Sequence, residues 1–386
     1  MTKRIIRLGF DARLAGSAHA GIGRYSEELL RELLALTSSD SDGKYFWLIF
    51  VAKKDQLPWL KNYPNVQVEL LPIRHYTLRE QIFVLKAFNQ ANLDLLHVPH
   101  FNVPIGYRRP FIVTIHDLLW HTQQDPHATT LPAWQYRLKY GAYRFVSQMA
   151  MRRAKAILVP TKFVEQEVAK YVSNPQKIIV TSEGVSQAFL DTPDVGQGNG
   201  QRKRASKTKE RAPYFVYTGS LYPHKNIEVV LKALQKLPNV NLKVLTARSI
   251  FLTEFWEKVR LYKIADQIEV QNGLSDEEVI KLYQQSSGLI QPSLSEGFGL
   301  TGIEAMAVGC PVIASDIPVL REVYGQQAEY FDPQQADELV KLLKKFINQP
   351  ASAEELQARQ KYARQYTWHS AAIKTWQVYL NSIANL

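Results

Sequence analysis

The feature that most constrains the fold is an alternation of short apolar runs with helical patterns, which persists through the chain and breaks once. In the first half the runs at 4–11, 45–52, 67–72, 94–99, 110–116, 154–161 and 177–183 read as strands. Between them, 23–36 sets Leu29, Leu30, Leu33 and Leu34 on one helical face, and 163–172 is a second helical pattern. The break is 191–212, a Gly-, Pro- and Asn-rich stretch that runs into a basic cluster and has too little apolar surface to form a core. A second series follows, with strands at 214–219, 242–246, 268–271, 288–292 and 311–315 and helices at 226–237, 251–262, 276–285 and 302–308. Ser275 and Glu278 carry the spacing of a capping box for the third of these helices.

Apolar strands alternating with helices imply parallel sheets covered on both faces. Two series joined by one linker imply an α/β protein of two doubly wound domains. The expected divisions are 1–190, a linker at 191–212, and 213–369, with a last helix at 370–386. In such sheets ligands bind outside the carboxyl ends of the strands, so a cleft between two such edges is the expected site. A length of 386 residues accommodates two cores.

Composition narrows the function classes. The single cysteine, Cys310, forbids an intrachain disulfide. No apolar run approaches the roughly 18 residues that span a bilayer, and the N-terminus reads as a strand rather than a signal peptide. A cytoplasmic location follows as an expectation. The net charge of +11 is concentrated in two places. Residues 126–164 contain no acid and seven bases, and 201–211 contain six bases and one acid. Within 134–155, Trp134, Tyr136, Tyr140, Tyr143 and Phe145 are interleaved with bases. That pattern suits peripheral contact with an anionic inner leaflet, and it equally suits a solvated helix with core aromatics. No nucleic-acid-binding module is present.

The most informative segment is 291–316, which reads as strand, glycine loop, helix, strand. Gly297, Phe298 and Gly299 form a loop that lets backbone approach a ligand, and the following helix start presents unpaired N–H groups suited to a pyrophosphate. Glu296 precedes the glycines, and Glu304 is placed in the first helical turn. Both can accept sugar or ribose hydroxyls. Taken alone, the residues also allow Glu304 to complement the helix dipole and Glu296 to be solvated.

The spacing of Glu296 and Glu304, with the glycine loop and Glu304-Ala305-Met306-Ala307 leading to Gly309 and Pro311, resembles the signature of glycosyltransferase family 4, retaining enzymes of the GT-B fold. The similarity extends to Gly21-Ile22-Gly23-Arg24-Tyr25, His116-Asp117, Val159-Pro160-Thr161-Lys162-Phe163, Pro223-His224-Lys225-Asn226 and Tyr366-Thr367-Trp368. The resemblance implies a nucleotide diphosphate sugar as donor. It also implies that the donor is bound by Gly219, Ser220, His224, Lys225, Asn272, Gly273, Glu296, Gly297, Phe298, Gly299, Leu300, Thr301 and Glu304. Within that set Lys225 meets the diphosphate, Glu296 the sugar and Glu304 the ribose. His116, Glu296 and Lys225 are the implied catalytic residues. Gly21, Ile22, Gly23, Arg24, Tyr25 and Asp117 are implied near the diphosphate and acceptor, and the last helix is implied to return to the first domain. The family often has Pro where this chain has Thr301.

A hexose of mannose or glucose type is the implied sugar, and the acceptor is a glycan or lipid-linked saccharide of cell-surface polysaccharide or glycolipid synthesis. No cofactor or metal is expected. The histidines at 97, 100, 116 and 121 fit no compact zinc spacing. Asp40-Ser41-Asp42 has the form of a metal-holding Asp-x-Asp but falls in a polar turn. A nicotinamide site is excluded, because the glycines of 21–23 do not directly follow the first strand and the second strand ends without an acid. Two other readings stay open on the residues: a GT-B sugar-nucleotide epimerase, and a catalytically silent membrane-surface binding protein.

Overall fold

The structure, a computed structural model, describes residues 4–16, 20–38, 43–122, 133–195, 212–246 and 250–384. The chain divides into two compact units, Met1–Gly184 with Trp368–Leu386, and Val185–Thr367.

The first unit is built on β1 (Ile6–Asp11), β2 (Tyr45–Val51), β3 (Val66–Leu70), β4 (Leu95–Val98), β5 (Phe111–Thr114), β6 (Ala156–Val159) and β7 (Ile178–Val180). These strands are all parallel, in the order β3-β2-β1-β4-β5-β6-β7. The helices are α1 (Ala20–Ser38), α2 (Leu85–Gln90), α3 (Leu119–Thr122), α4 (Ala133–Arg153) and α5 (Lys162–Ala169). Every residue of β4, β5 and β6 is buried, as strands covered on both faces require. In α1 the four leucines at 29, 30, 33 and 34 have no exposed surface.

The second unit holds α6 (Gln187–Leu190), β8 (Tyr214–Thr218), α7 (Ile227–Gln235), β9 (Asn241–Leu245), α8 (Leu252–Leu261), β10 (Ile268–Gln271), α9 (Asp276–Gln285), β11 (Gly288–Gln291), α10 (Leu300–Ala307) and β12 (Val312–Ser315). It continues with α11 (Pro318–Tyr324), β13 (Ala328–Phe331), α12 (Ala336–Asn348) and α13 (Ala353–Ala363). Its sheet is also all parallel, in the order β10-β9-β8-β11-β12-β13. The capping box at Ser275 and Glu278 is formed. The final helix, α14 (Trp368–Ala384), belongs to the first unit and packs on α1.

Several sequence-based expectations need correction. The second unit begins at Val185, not 213. Val185 N–H donates to the Tyr366 carbonyl, Val195 N–H donates to Gln360 Oε1, and Gln360 is itself buried, so the chain from 185 is already committed to that unit. Only 191–195 and 212 of the expected linker are described, and its basic run and Asp40-Ser41-Asp42 lie outside the described residues. The first helix begins at Ala20 rather than at 23, so all of Gly21–Tyr25 is helical. The helix expected at 302 begins at Leu300, which puts Glu304 in its second turn. Residues 133–153 form one helix, and α2, α11, α12, α13 and β13 are elements that sequence periodicity did not reveal.

Candidate active site

Each sheet reverses its winding direction once, between β1 and β4 and between β8 and β11. The crevice outside the carboxyl ends of the strands at such a point is where doubly wound sheets bind ligands. In the second unit, the chain leaving β8 and the chain leaving β11 carry the segments singled out above.

After β8, Gly219 and Ser220 lead into a tight turn at Pro223–Lys225, and the Tyr217 hydroxyl donates to the Ser220 carbonyl. Asn226 closes the turn in a left-handed conformation, φ 54°. Its Nδ2 donates to the carbonyls of Pro292, 3.0 Å, and Pro333, 2.9 Å. Leu294 N–H donates to the His224 carbonyl at 2.8 Å. The two loops are therefore fixed to each other through backbone acceptors, and the His224 ring stacks beside Tyr222.

This brings Lys225 and Glu296 together. The Lys225 ammonium lies 2.8 Å from both carboxylate oxygens of Glu296. Ser293 Oγ donates to Glu296 Oε1 at 2.7 Å and Gln291 Nε2 at 3.1 Å. Burial by itself would push the Glu296 carboxyl up, but Lys225, Ser293 and Gln291 outweigh it and hold the group below the ordinary carboxylate value. Glu296 is thus a charged, oriented acceptor and is not freely solvated. The Lys225 side chain keeps 23 % of its surface exposed.

The glycine loop ends at Gly299, left-handed at φ 95° and the first flanking residue of α10. A side chain there, or at Gly302, would strike the Tyr324 hydroxyl, 2.5 and 2.2 Å from the respective Cβ positions. That hydroxyl lies within hydrogen-bond reach of both the Gly299 carbonyl and Gln291 Oε1 and donates its one proton between them. Thr301 turns its own hydroxyl to Gln291 Oε1, 3.4 Å. Leu300 and Thr301 are the first residues of α10 and Gly297 precedes the turn, so their backbone N–H groups belong to the anion-favouring end of the helix. Phe298 is buried with its ring edge-on to Tyr366, so only its backbone faces outward chemistry. Glu304 is buried one turn further in. Asn272 and Gly273 lie at the end of edge strand β10, two strands from β8, and are separated from this cluster by the sheet order. Sequence reasoning missed Asn226, Gln291, Ser293 and Tyr324. Gln291 and Ser293 stood inside the motif, whereas Tyr324 sits in a helix with no signal of its own.

In the first unit, His116 follows β5. Its Nδ1 is 3.2 Å from Glu183 Oε1 and its Nε2 is 3.1 Å from the Pro99 carbonyl. A ligand bond would replace one of these. Tyr25 is a core residue rather than a ligand contact: it is buried, its hydroxyl reaches Thr114 Oγ1 at 3.0 Å and its ring stands edge-on to His116. Gly23 is required by packing, because a Cβ would lie 2.0 Å from the Gly16 carbonyl oxygen, whereas Gly21 faces open space. Ile22 and Arg24 occupy the same helical turn, and Ile22 accepts the Ser26 hydroxyl. Exposed Asp117 accepts the Leu119 N–H at 3.0 Å, which caps α3. His97 and His121 are occupied internally, bonded to Tyr379 and Thr114 and to Ser147 respectively.

Comparison with known proteins agrees with this fold. Residues 20–189 match the model described as Glycosyltransferase Family 4, and residues 200–366 match that of Glycosyl transferases group 1. The O-antigen chain mannosyltransferase RfbU of Salmonella typhimurium is 25% identical over 327 residues, 82% of this chain and 84% of that protein. O-antigen chain mannosyltransferase B of Escherichia coli is 24% identical over 384 residues, 93% and 95% of the two chains. Among solved structures, sucrose-phosphate synthase of Thermosynechococcus elongatus superposes with a TM-score of 0.77 at 20% identity, covering 99% of this chain and 100% of the other. Anabaena Alr3699/HepE, in complex with UDP-glucose, gives 0.70 at 15% identity over 99% and 100%. Fold and matches define a glycosyltransferase of the GT-B class. Within that class the chain belongs to the family 4 type, and its relatives point to a hexose as the sugar moved.

Proposed function

We propose that the enzyme transfers a hexose of mannose type from a nucleotide diphosphate sugar to a saccharide or lipid-linked acceptor of cell-surface polysaccharide synthesis, with retention of configuration and without a metal. The Lys225–Glu296 pair beside the start of α10 carries this reading. An ammonium about 4 Å from a phosphate contributes a few kcal/mol at an effective dielectric of about 20. The helix start adds oriented N–H groups. Together they stabilise the charge that develops when the anomeric carbon–oxygen bond to the diphosphate breaks. The acceptor oxygen then forms its bond on the same face, and its proton passes to the departing diphosphate oxygen. Glu296 orients the sugar hydroxyls, and buried Glu304 suits the ribose. Within the first unit, His116 can offer a ring nitrogen to an acceptor hydroxyl once it yields one internal bond. The likeness to O-antigen mannosyltransferases supports mannose as the sugar.

The test is incubation with GDP-mannose and UDP-glucose, with and without EDTA, followed by NMR of the product. The expected result is an axial linkage formed equally in EDTA. An inverted anomer, or activity abolished by EDTA and restored by Mg²⁺, overturns the mechanism. Conversion of the nucleotide sugar without acceptor points instead to an epimerase.

A second reading concerns location. In α4 Tyr136 is buried and Tyr140 and Tyr143 are half-buried, whereas Trp134, Leu138 and Phe145, spaced at four and seven residues, are exposed at 68%, 70% and 55% beside exposed Arg137 and Lys139. Such a stripe fits the headgroup region of an anionic bilayer on the cytoplasmic face. No helix of the described residues is long and apolar enough to cross a membrane. Flotation with phosphatidylglycerol vesicles that fails for wild type as well as for Trp134→Ala removes this reading.

A further inference from the structure

The first sheet has its own crevice at the β1/β4 reversal, and the groups there are unusual. Asp11 ends β1, and Arg13 follows it with no exposed side-chain surface. Arg13 bonds both Asp11 oxygens, 2.8 and 2.7 Å, and Glu80 Oε1, 3.0 Å. Its Nη1 also donates to the Ile73 carbonyl. The other oxygen of Glu80, itself fully buried, accepts Asn102 Nδ2 at 2.6 Å and the backbone N–H of Tyr76 at 2.8 Å. Burying three charges is costly, and breaking up such a set costs more, so the cluster fixes whatever it touches. What it touches is the turn 73–76, gripped at both ends.

That turn is strained. Tyr76 has φ 61°, in the left-handed region that a residue with a side chain adopts only under strain. The residue is 60% exposed, yet its hydroxyl meets His100 Nε2 at 3.3 Å. His100 follows β4 and packs on Phe101. Burial holds its imidazole well below its ordinary pKa, so at neutral pH it is an uncharged hydrogen-bonding group, suited to hydroxyls rather than to phosphate.

We propose that the Tyr76 ring and the His100 imidazole form a saccharide-binding shelf at the switch point of the first sheet, which receives the acceptor sugar. An exposed aromatic face takes the C–H face of a pyranose, and the adjacent polar tip and imidazole take its hydroxyls. Tyr76 and His100 are the contact residues. Arg13, Glu80 and Asn102 are positioning residues that hold the shelf against its backbone strain. The inference rests on the proposed glycosyl transfer.

The test compares wild type with Tyr76→Gly, using GDP-mannose and UDP-glucose as donors and octyl α-mannoside and octyl α-glucoside as acceptors. Glycine adopts φ 61° without strain, which offsets the lost contacts with His100 and Phe101, and a Tm close to wild type checks that the fold is kept. The expected result is an acceptor KM raised about tenfold or more, with the donor KM moved less than about twofold. Glu80→Gln should raise acceptor KM in the same sense, with kcat little changed. Wild-type transfer with an unaltered acceptor KM in Tyr76→Gly overturns the shelf and leaves the transferase standing. Wild type that transfers from neither donor overturns the transferase reading and the shelf together.

Discussion

The pairing of Lys225 with Glu296 is the residue-scale fact on which the chemistry turns. A carboxylate held by an ammonium, a hydroxyl and an amide is fixed in place and stays ionised, so it presents the same acceptor geometry at every turnover. Replacement by Gln keeps the shape but removes the charge that locates Lys225. For Glu296→Gln we expect kcat to fall about 10²-fold, the cost typical of losing one preorganised polar group. The nucleoside diphosphate Kd should rise less than kcat falls, by about tenfold or less, because the carboxylate acts on the phosphate only through Lys225. Steady-state kinetics with calorimetric titration of GDP and UDP checks both halves. The identities of both side chains were legible in the sequence. Their 2.8 Å contact was not, because it spans 71 residues of chain.

At the scale of elements, α10 and α11 act as one unit. Gly299 and Gly302 leave room for the Tyr324 hydroxyl, which ties the end of the glycine loop to Gln291. Gly302→Ala puts a methyl group 2.2 Å from that hydroxyl and must displace α11. Overpacking of this kind costs typically 1–3 kcal/mol. The expected outcome is a lower Tm together with weaker nucleotide diphosphate binding, measured by thermal shift with and without ligand. Gly302→Ala paired with Tyr324→Phe should recover part of the stability. The loop glycines announced a close approach in the sequence. What approaches, a tyrosine from the next helix, did not, and neither did Asn226 as the residue that joins the two loops.

Over the whole molecule, the two units repeat one winding plan but differ in their buried polar groups. The first unit contains His97, held near a pKa of about 3, and His121, near about 4, by burial, with the charges of His116 and Arg144 respectively adding to the effect. Both stay neutral in the folded protein, whereas the unfolded chain protonates them near 6.5. Below about pH 6.5 the unfolded state therefore binds more protons, and stability falls as pH drops toward 4. The loss is up to roughly 1.4 kcal/mol per pH unit for each group. Because His97 bonds Tyr379, the loss falls partly on the seat of α14. Calorimetry between pH 7 and 4.5 should show the first unit losing Tm fastest, with a shallower slope in His97→Gln. An equal slope in that variant excludes His97 as a source.

By itself the sequence determined the alternating class of fold, the parallel sheets, the glycine loop before a helix start and the family of the enzyme. All of these rest on local periodicity, or on residues adjacent in the chain. Only the tertiary structure decided which strands neighbour which, and therefore that the loops after β8 and β11 share one switch point. It put the Tyr25 side chain and the Phe298 ring in the core, because burial depends on what packs over a residue and not on its neighbours in sequence. It started the second unit at Val185, where the Val185 N–H bonds the Tyr366 carbonyl, and it tied Val195, inside the expected linker, to the Gln360 side chain. It also exposed the Arg13 cluster, whose members at 11, 13, 80 and 102 look like isolated polar residues until the β1/β4 edge gathers them.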